Sequence, residues 1–176
     1  MTLSAPSPVS PEVRQRIRDR LQQAPSQMTL QLAAELGVPE VEIIRGMPDG
    51  RAVELDIGRW QEIFEALPEF GPVHVIVSNG AATLEAEGTF GGFSTWGEFF
   101  NVQTDKLDMH VRYRNLGAAF AVEKPSHMTG VSTLSVQFYD REGHCALKVF
   151  PAFGNRAAPL EVQARFEELR AKYRRS

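Results

Sequence analysis

In the stretch KLDMHVRYRN, one imidazole and two guanidiniums fall on alternate residues: His110, Arg112 and Arg114. If that stretch is a β-strand, these three share one face while Met109, Val111 and Tyr113 share the other. Two chemistries suit such a row. It can be the solvated side of an antiparallel strand, or it can hold a flat, metal-bearing anion, with neutral imidazole as metal ligand and the guanidiniums paired to carboxylates. The second needs apolar and aromatic surface nearby. The segment FGGFSTWGEFF offers it through Phe93, Trp96, Phe99 and Phe100, although core packing is the default for aromatic residues. Pattern alone favours the solvated face.

The other histidines have fewer partners in the pattern. His127 in KPSHMTG and His144 in REGHC read as surface residues at loops or strand ends, and His74 opens a strand face that also carries Ile76 and Ser78. Nucleophilic and acid–base chemistry finds little support. There is no GxSxG elbow, phosphate-binding glycine loop or HExxH, and Cys145 sits in the apolar alternation of a strand, where a buried structural thiol is the simpler reading. Glu85 and Glu87 share a strand face, as solvated carboxylates commonly do. No catalytic residue is assigned.

Composition narrows the classes further. The 176 residues are 43% hydrophobic, enough for one core, and the net charge of −3 implies no general attraction to nucleic acid or to an anionic membrane. The single Cys145 excludes an intrachain disulfide and a CxxC metal site. Neither a secretory leader nor a membrane-length apolar run is present, so the cytoplasm is the expected compartment. Residues 1–9 are expected to be a loose, flexible tail.

These candidate residues must be positioned by two kinds of element. Residues 10–70 form a helical N-terminal subdomain, and the pattern changes to period two after Gly71, so that 71–176 form an antiparallel sheet with a C-terminal helix, one structural unit with the subdomain. Val13, Ile17 and Leu21 line one face of a helix from Pro11 to about Ala24, Thr29 is the expected N-cap of the next, and a further helix starts at Pro39. GRWQEIFEALPEF gives an apolar helix that stops at Pro68, preceded by a short strand in RAVELD. Asn79-Gly80 marks a hairpin, and VSTLSVQFYDREGHCALKVF a second, clearer one. FGGFSTWGEFFNV should cross the sheet with a bend. DMHVRYRN and GAAFAVEK are expected to pair around Asn115 and Gly117, with Lys148 exposed on another strand. In the last helix, Leu160, Ala164 and Leu169 lie near helical spacing. The fold class is α+β.

MTLQLAAELGVPEVEIIRGM has the outline of a helix-turn-helix. A DNA-reading second helix would present Arg, Lys, Asn or Gln, whereas this one carries Glu40, Glu42 and only Arg45. A structural role for the helices is therefore favoured and nucleic acid is an unfavoured partner, with a DNA-binding regulator kept as an alternative.

The blocks AAELGVPEVEIIRGMP, WQEIFEAL, FGPVHVIVSNGAATLEAEG, GGFSTWGEFFNV, MHVRYRN and VSTLSVQFYDREGHCALKVF, in this order between about Leu30 and Gly154, resemble the HutX/ChuX family of cytosolic haem-utilisation proteins, relatives of the HemS/ChuS haem-trafficking proteins. The resemblance implies a helical region packed on a large antiparallel sheet, and a homodimer whose two sheets imitate the halves of a HemS-type monomer. It implies haem as the carried ligand, passed to a haem-accepting or haem-degrading protein, with haem breakdown by this fold as an alternative activity. The family pattern has two histidines important for haem. One matches His110, which is thereby implied as the iron ligand, with Arg112 and then Arg114 as propionate partners and Lys148 as a weaker candidate. The other matches Ser78, a poor iron ligand. His74 lies on the same strand face as Ser78 but about 13 Å away at 3.3 Å per residue, too far for a simple substitution.

Overall fold

Hydrophobic periodicity is realised as five helices and nine strands within residues 9–154 and 157–176, which the computed structural model describes. The expected loose tail at residues 1–9 lies outside the described residues except for Val9. The helices are α1 (Pro11–Gln23), α2 (Thr29–Leu36), α3 (Glu40–Arg45), α4 (Trp60–Ala66) and α5 (Leu160–Tyr173). The strands are β1 (Ala52–Leu55), β2 (Pro72–Ser78), β3 (Thr83–Thr89), β4 (Phe93–Trp96), β5 (Phe99–Gln103), β6 (Asp108–Val111), β7 (Leu116–Pro125), β8 (Ser132–Asp140) and β9 (Cys145–Ala152). They form a six-stranded antiparallel sheet in the order β1-β7-β8-β9-β2-β3 and a three-stranded one in the order β4-β5-β6. The α+β class, the large antiparallel sheet and the C-terminal helix are as the sequence implies.

The Asn79-Gly80 and DREG hairpins form where their turn residues place them, joining β2 to β3 and β8 to β9. The Asn79 side-chain oxygen accepts from the Ala81 and Ala82 amides at 3.0 and 2.9 Å, which closes the first turn. Elsewhere the pairing differs from expectation. FGGFSTWGEFFNV makes a hairpin of its own, β4 against β5, turning at Gly97, whose φ is +58°. DMHV pairs with β5, while GAAFAVEK pairs with β1 and β8, so the expected hairpin around Asn115 and Gly117 does not form.

One face of the large sheet, carrying Val75, Val136, Phe138 and Val149, meets Phe100, Val102 and Val111 of the small sheet, with Phe64 of α4 and Phe166 of α5 filling the same core. Burying each such side chain is worth about 1.5–3 kcal/mol. α5 buries Val162, Phe166, Leu169 and Tyr173, whereas Leu160 and Ala164 are exposed; the buried stripe shares Leu169 with the expected one and lies two positions on from it at Val162 and Phe166. The opposite face of the large sheet receives α3, whose Val41 and Ile44 pack on Phe120, Val122 and Tyr139. Every α3 residue except Arg45 is buried, so the second helix of the helix-turn-helix outline has no face to offer a DNA groove.

Thr29 does not cap α2. Met28 holds that position without a side-chain bond, and the Thr29 hydroxyl instead donates to Glu40 Oε1 at 2.5 Å. The Lys148 ammonium joins them, 2.5 Å from Glu40 Oε1 and 3.1 Å from Thr29 Oγ1, linking β9 to α2 and α3. Lys148 is thus buried rather than exposed, with only 16% of its side chain open to solvent and 3% of Glu40's. Removing one partner of such a pair strands the other charge away from water. Lys148→Ala is expected to lower stability by about 3–5 kcal/mol in urea unfolding. Lys148→Met combined with Glu40→Leu should recover most of that loss, and a single-variant cost below about 1 kcal/mol would contradict the pairing.

Candidate functional site

The inner residues of β6 are claimed by the core. Met109 packs against the core and Val111 is buried in it, and alternation sends Asp108 and His110 to the outer face of the small sheet. There His110 stands directly across from Asn101 on β5, and Asn101 across from Ser94 on β4. The three side chains form one row of hydrogen bonds. Asn101 Nδ2 donates to Ser94 Oγ at 3.0 Å, and Asn101 Oδ1 lies 2.7 Å from His110 Nδ1. A carboxamide oxygen can only accept, so with the amide oriented this way Nδ1 carries the imidazole proton and Nε2 keeps its lone pair. Nε2 is 3.6 Å from Asp108 Oδ1, too far for a hydrogen bond, and 53% of the His110 side chain is exposed.

Phe99, on the same outer face, lies edge-on to the imidazole with ring centroids 6.1 Å apart, and the Arg112 guanidinium sits 5.2 Å from the Phe99 centroid. A loose pairing at 3.5 Å with Glu98 leaves Arg112 more than half exposed. Trp96 is exposed nearby on β4, whereas Phe93 and Phe100 point into the core.

The row of one imidazole and two guanidiniums expected from KLDMHVRYRN stops at Arg112. β6 ends at Val111, and Tyr113–Asn115 form a 3-10 turn. Tyr113 stacks on Trp60 of α4, centroids 4.8 Å apart and planes 15° from parallel, which pulls the chain off the strand path. Arg114 then lies by the Tyr113 ring, 5.8 Å from its centroid, rather than beside His110.

Between the end of β6 and the large sheet lies a cleft of about 220 Å³. Val77, Met109, Val111, Leu116 and Leu147 contribute its apolar wall, and His110 and Arg112 its basic side. Ser78 does not reach this wall. Its neighbour Val77 lines the cleft, so Ser78 faces the other side of the sheet, where its hydroxyl bonds Ala82 O at 3.2 Å and Thr83 Oγ1 at 3.0 Å within the hairpin. His74 shares that outer face with Ser78, as the alternation implies. It pairs with Glu85 at 2.8 Å and stacks on Phe153 with centroids 3.9 Å apart. Lys148 is held by Glu40 and Thr29 on that same side. Burial pushes the Cys145 thiol up to about 12, in keeping with a structural cysteine. The geometry therefore brings His110, Arg112 and Phe99 together, adds Asn101 and Ser94, and separates off Arg114, Ser78, His74 and Lys148. Sequence alone does not reveal Asn101, because chain proximity pairs β6 with β7 whereas the structure pairs it with β5. The TDKL turn between NVQ and DMH was the signal that could have placed it.

A family model described as haem utilisation ChuX/HutX matches residues 53–169. The intracellular heme transport protein HutX of Vibrio cholerae serotype O1 is 24% identical over 165 residues, 92% of this chain and 84% of that protein. Among solved structures, the heme binding protein ChuX matches with a TM-score of 0.77 at 21% identity, over 89% of this chain and 97% of its own. The heme degrading enzyme ChuS of Escherichia coli O157:H7 matches with a TM-score of 0.75 at 24% identity, over 93% of this chain and 47% of its own, so that this chain spans about half of it. These structural likenesses establish the fold.

The Trp60–Tyr113 stack is what turns the chain after Arg112, so its loss should be felt locally and in stability. Tyr113→Ala is expected to cost about 1–3 kcal/mol in thermal or urea unfolding, while Tyr113→Phe, which keeps the stack, should stay within about 0.5 kcal/mol of wild type. Equal costs for the two would contradict a role for the ring.

Proposed function

The chain belongs to the ChuX/HutX haem-utilisation family, and we propose that it binds haem as a carried ligand in the cytoplasm and hands it to an accepting or degrading protein. The observation that carries this reading is the His110 imidazole, held through Nδ1 by Asn101, with Nε2 open beside an apolar cleft and a guanidinium. His110 is the iron ligand in this reading and Arg112 the partner of a propionate, since an exposed guanidinium beside Phe99 is free to exchange its loose contact with Glu98 for a carboxylate of the ligand. Among the described residues no group of three or more His, Cys, Asp or Glu could hold a bare metal ion. Haem brings four nitrogen ligands of its own, so a single imidazole suffices. With Ser78 facing away, the chain supplies one axial ligand.

Support for a carrier also comes from the relatives: HutX is named a heme transport protein and ChuX a heme binding protein. Among the described residues no helix is long and apolar enough to cross a membrane. An open, half-exposed ligand suits transfer better than retention. A haem titration followed by absorbance tests the reading. Wild type should give a saturable Soret shift, His110→Ala should bind at least about 10-fold more weakly, and Arg112→Ala should lose affinity while keeping the wild-type band position. Absence of a shift in wild type, or an unchanged one in His110→Ala, would overturn it. Under a chemical reductant the Soret band should persist; conversion of the haem to a bilin would favour the degrading alternative.

The functional unit in this proposal is a homodimer. A cleft of about 220 Å³ falls below the ~300–1,000 Å³ in which small-molecule pockets bury most of their ligand. Next to it, Val77 and its cross-strand partner Leu84 present apolar side chains to solvent, Leu84 with 63% of its surface open. A second copy covering this face would complete the enclosure. Light scattering should give a dimer for wild type and a smaller species for Leu84→Glu, with faster haem loss; a monomeric wild type that still binds haem tightly would contradict this.

A further inference from the structure

The row Ser94, Asn101, His110 crosses three adjacent strands with no intervening residue, and only its middle member is buried, Asn101 at 7% exposure. A buried carboxamide must find partners for both of its ends, and here each end has one: Ser94 Oγ for the nitrogen at 3.0 Å, His110 Nδ1 for the oxygen at 2.7 Å. Resting on the reading of His110 as iron ligand, we propose that Asn101 is a positioning residue that fixes the imidazole tautomer and ring plane, presenting Nε2 as the free donor atom, while Ser94 partners the other end of the amide. Metal-ligating histidines commonly donate their second N–H to such an acceptor, which raises ligand basicity and fixes orientation.

His110 is half exposed and on an edge strand, and among the described residues its one aromatic contact is edge-on to Phe99, which restrains the ring only loosely. The 2.7 Å contact from Asn101 is the shortest polar contact the imidazole makes, and it comes from a residue that the core holds still. The reverse amide orientation would place Nδ2 against Nδ1 and require the proton on Nε2, where iron would have to displace it. The two arrangements therefore differ in a property that can be read without haem.

The test is the ¹⁵N chemical-shift pattern of the His110 ring in the haem-free protein, at a pH where the ring is neutral, alongside haem titration of the same samples. Wild type and Asn101→Asp, which keeps an oxygen acceptor, should show the Nδ1–H tautomer. Asn101→Leu should move toward Nε2–H and bind haem about 10–100-fold more weakly. Because Asn101 is buried, the fold of each variant is checked by its backbone amide spectrum, and Asn101→Asp separates loss of the oxygen acceptor from loss of the side chain. An Nε2–H tautomer in wild type, or a tautomer and affinity indifferent to Asn101→Leu in a folded variant, overturns the inference while leaving His110 as ligand. Haem affinity unchanged by His110→Ala removes the ligand reading, and this inference with it.

Discussion

The structure turns on the closure of two sheets around Phe64. Its ring is fully buried, 4.5 Å from Phe138 of the large sheet and 5.7 Å from Phe100 of the small one, so α4 is clamped between them. This contact decides which way the small sheet faces. With Phe100, Val102, Met109 and Val111 drawn inward, the intervening residues Asn101 and His110 have no choice but the outer face. The same helix supplies Trp60, whose stack on Tyr113 ends β6 and keeps Arg112 with His110 while carrying Arg114 away. Asn101, His110 and Arg112 are thus placed by the packing of the apolar and aromatic residues that flank them.

Polar interactions then refine what packing places. On one side of the large sheet, Lys148, Glu40 and Thr29 tie the N-terminal helices to β9, a structural use of a charge that looked available for ligand binding. On the outer face of the small sheet, the Asn101 carboxamide bridges Ser94 and a single exposed imidazole. The two clusters differ in solvent access: the ammonium of the first is consumed by its partners, while the second leaves one nitrogen lone pair and one guanidinium open. Anion recognition and metal ligation need that openness, and an apolar wall beside it excludes water from part of the bound ligand.

Much of this was legible in the sequence. The Asn79-Gly80 turn, the DREG hairpin and the outward direction of His110 follow from local turn chemistry and period two, and the order of the blocks identified the family. What failed depended on distant partners. Residues 109–114 alternate as well on paper beyond Val111 as before it, and only the Trp60 ring, far off in sequence, turns Tyr113 out of the strand path. Lys148 alternates with buried residues as a solvated lysine would, but its face is roofed by α2 and α3. Likewise sequence proximity pairs β6 with β7, whereas the core assigns it to β5, and only that pairing brings Asn101 beside His110.

The central claim is that the iron of bound haem is held by Nε2 of His110. Resonance Raman spectroscopy of the ferrous complex reads that bond directly, as an iron–imidazole stretching band. With ¹⁵N-histidine incorporated, the account predicts a band in wild type that shifts with the label and disappears in His110→Ala. A wild-type complex whose band is insensitive to the label, or one that persists unchanged in His110→Ala, would contradict it.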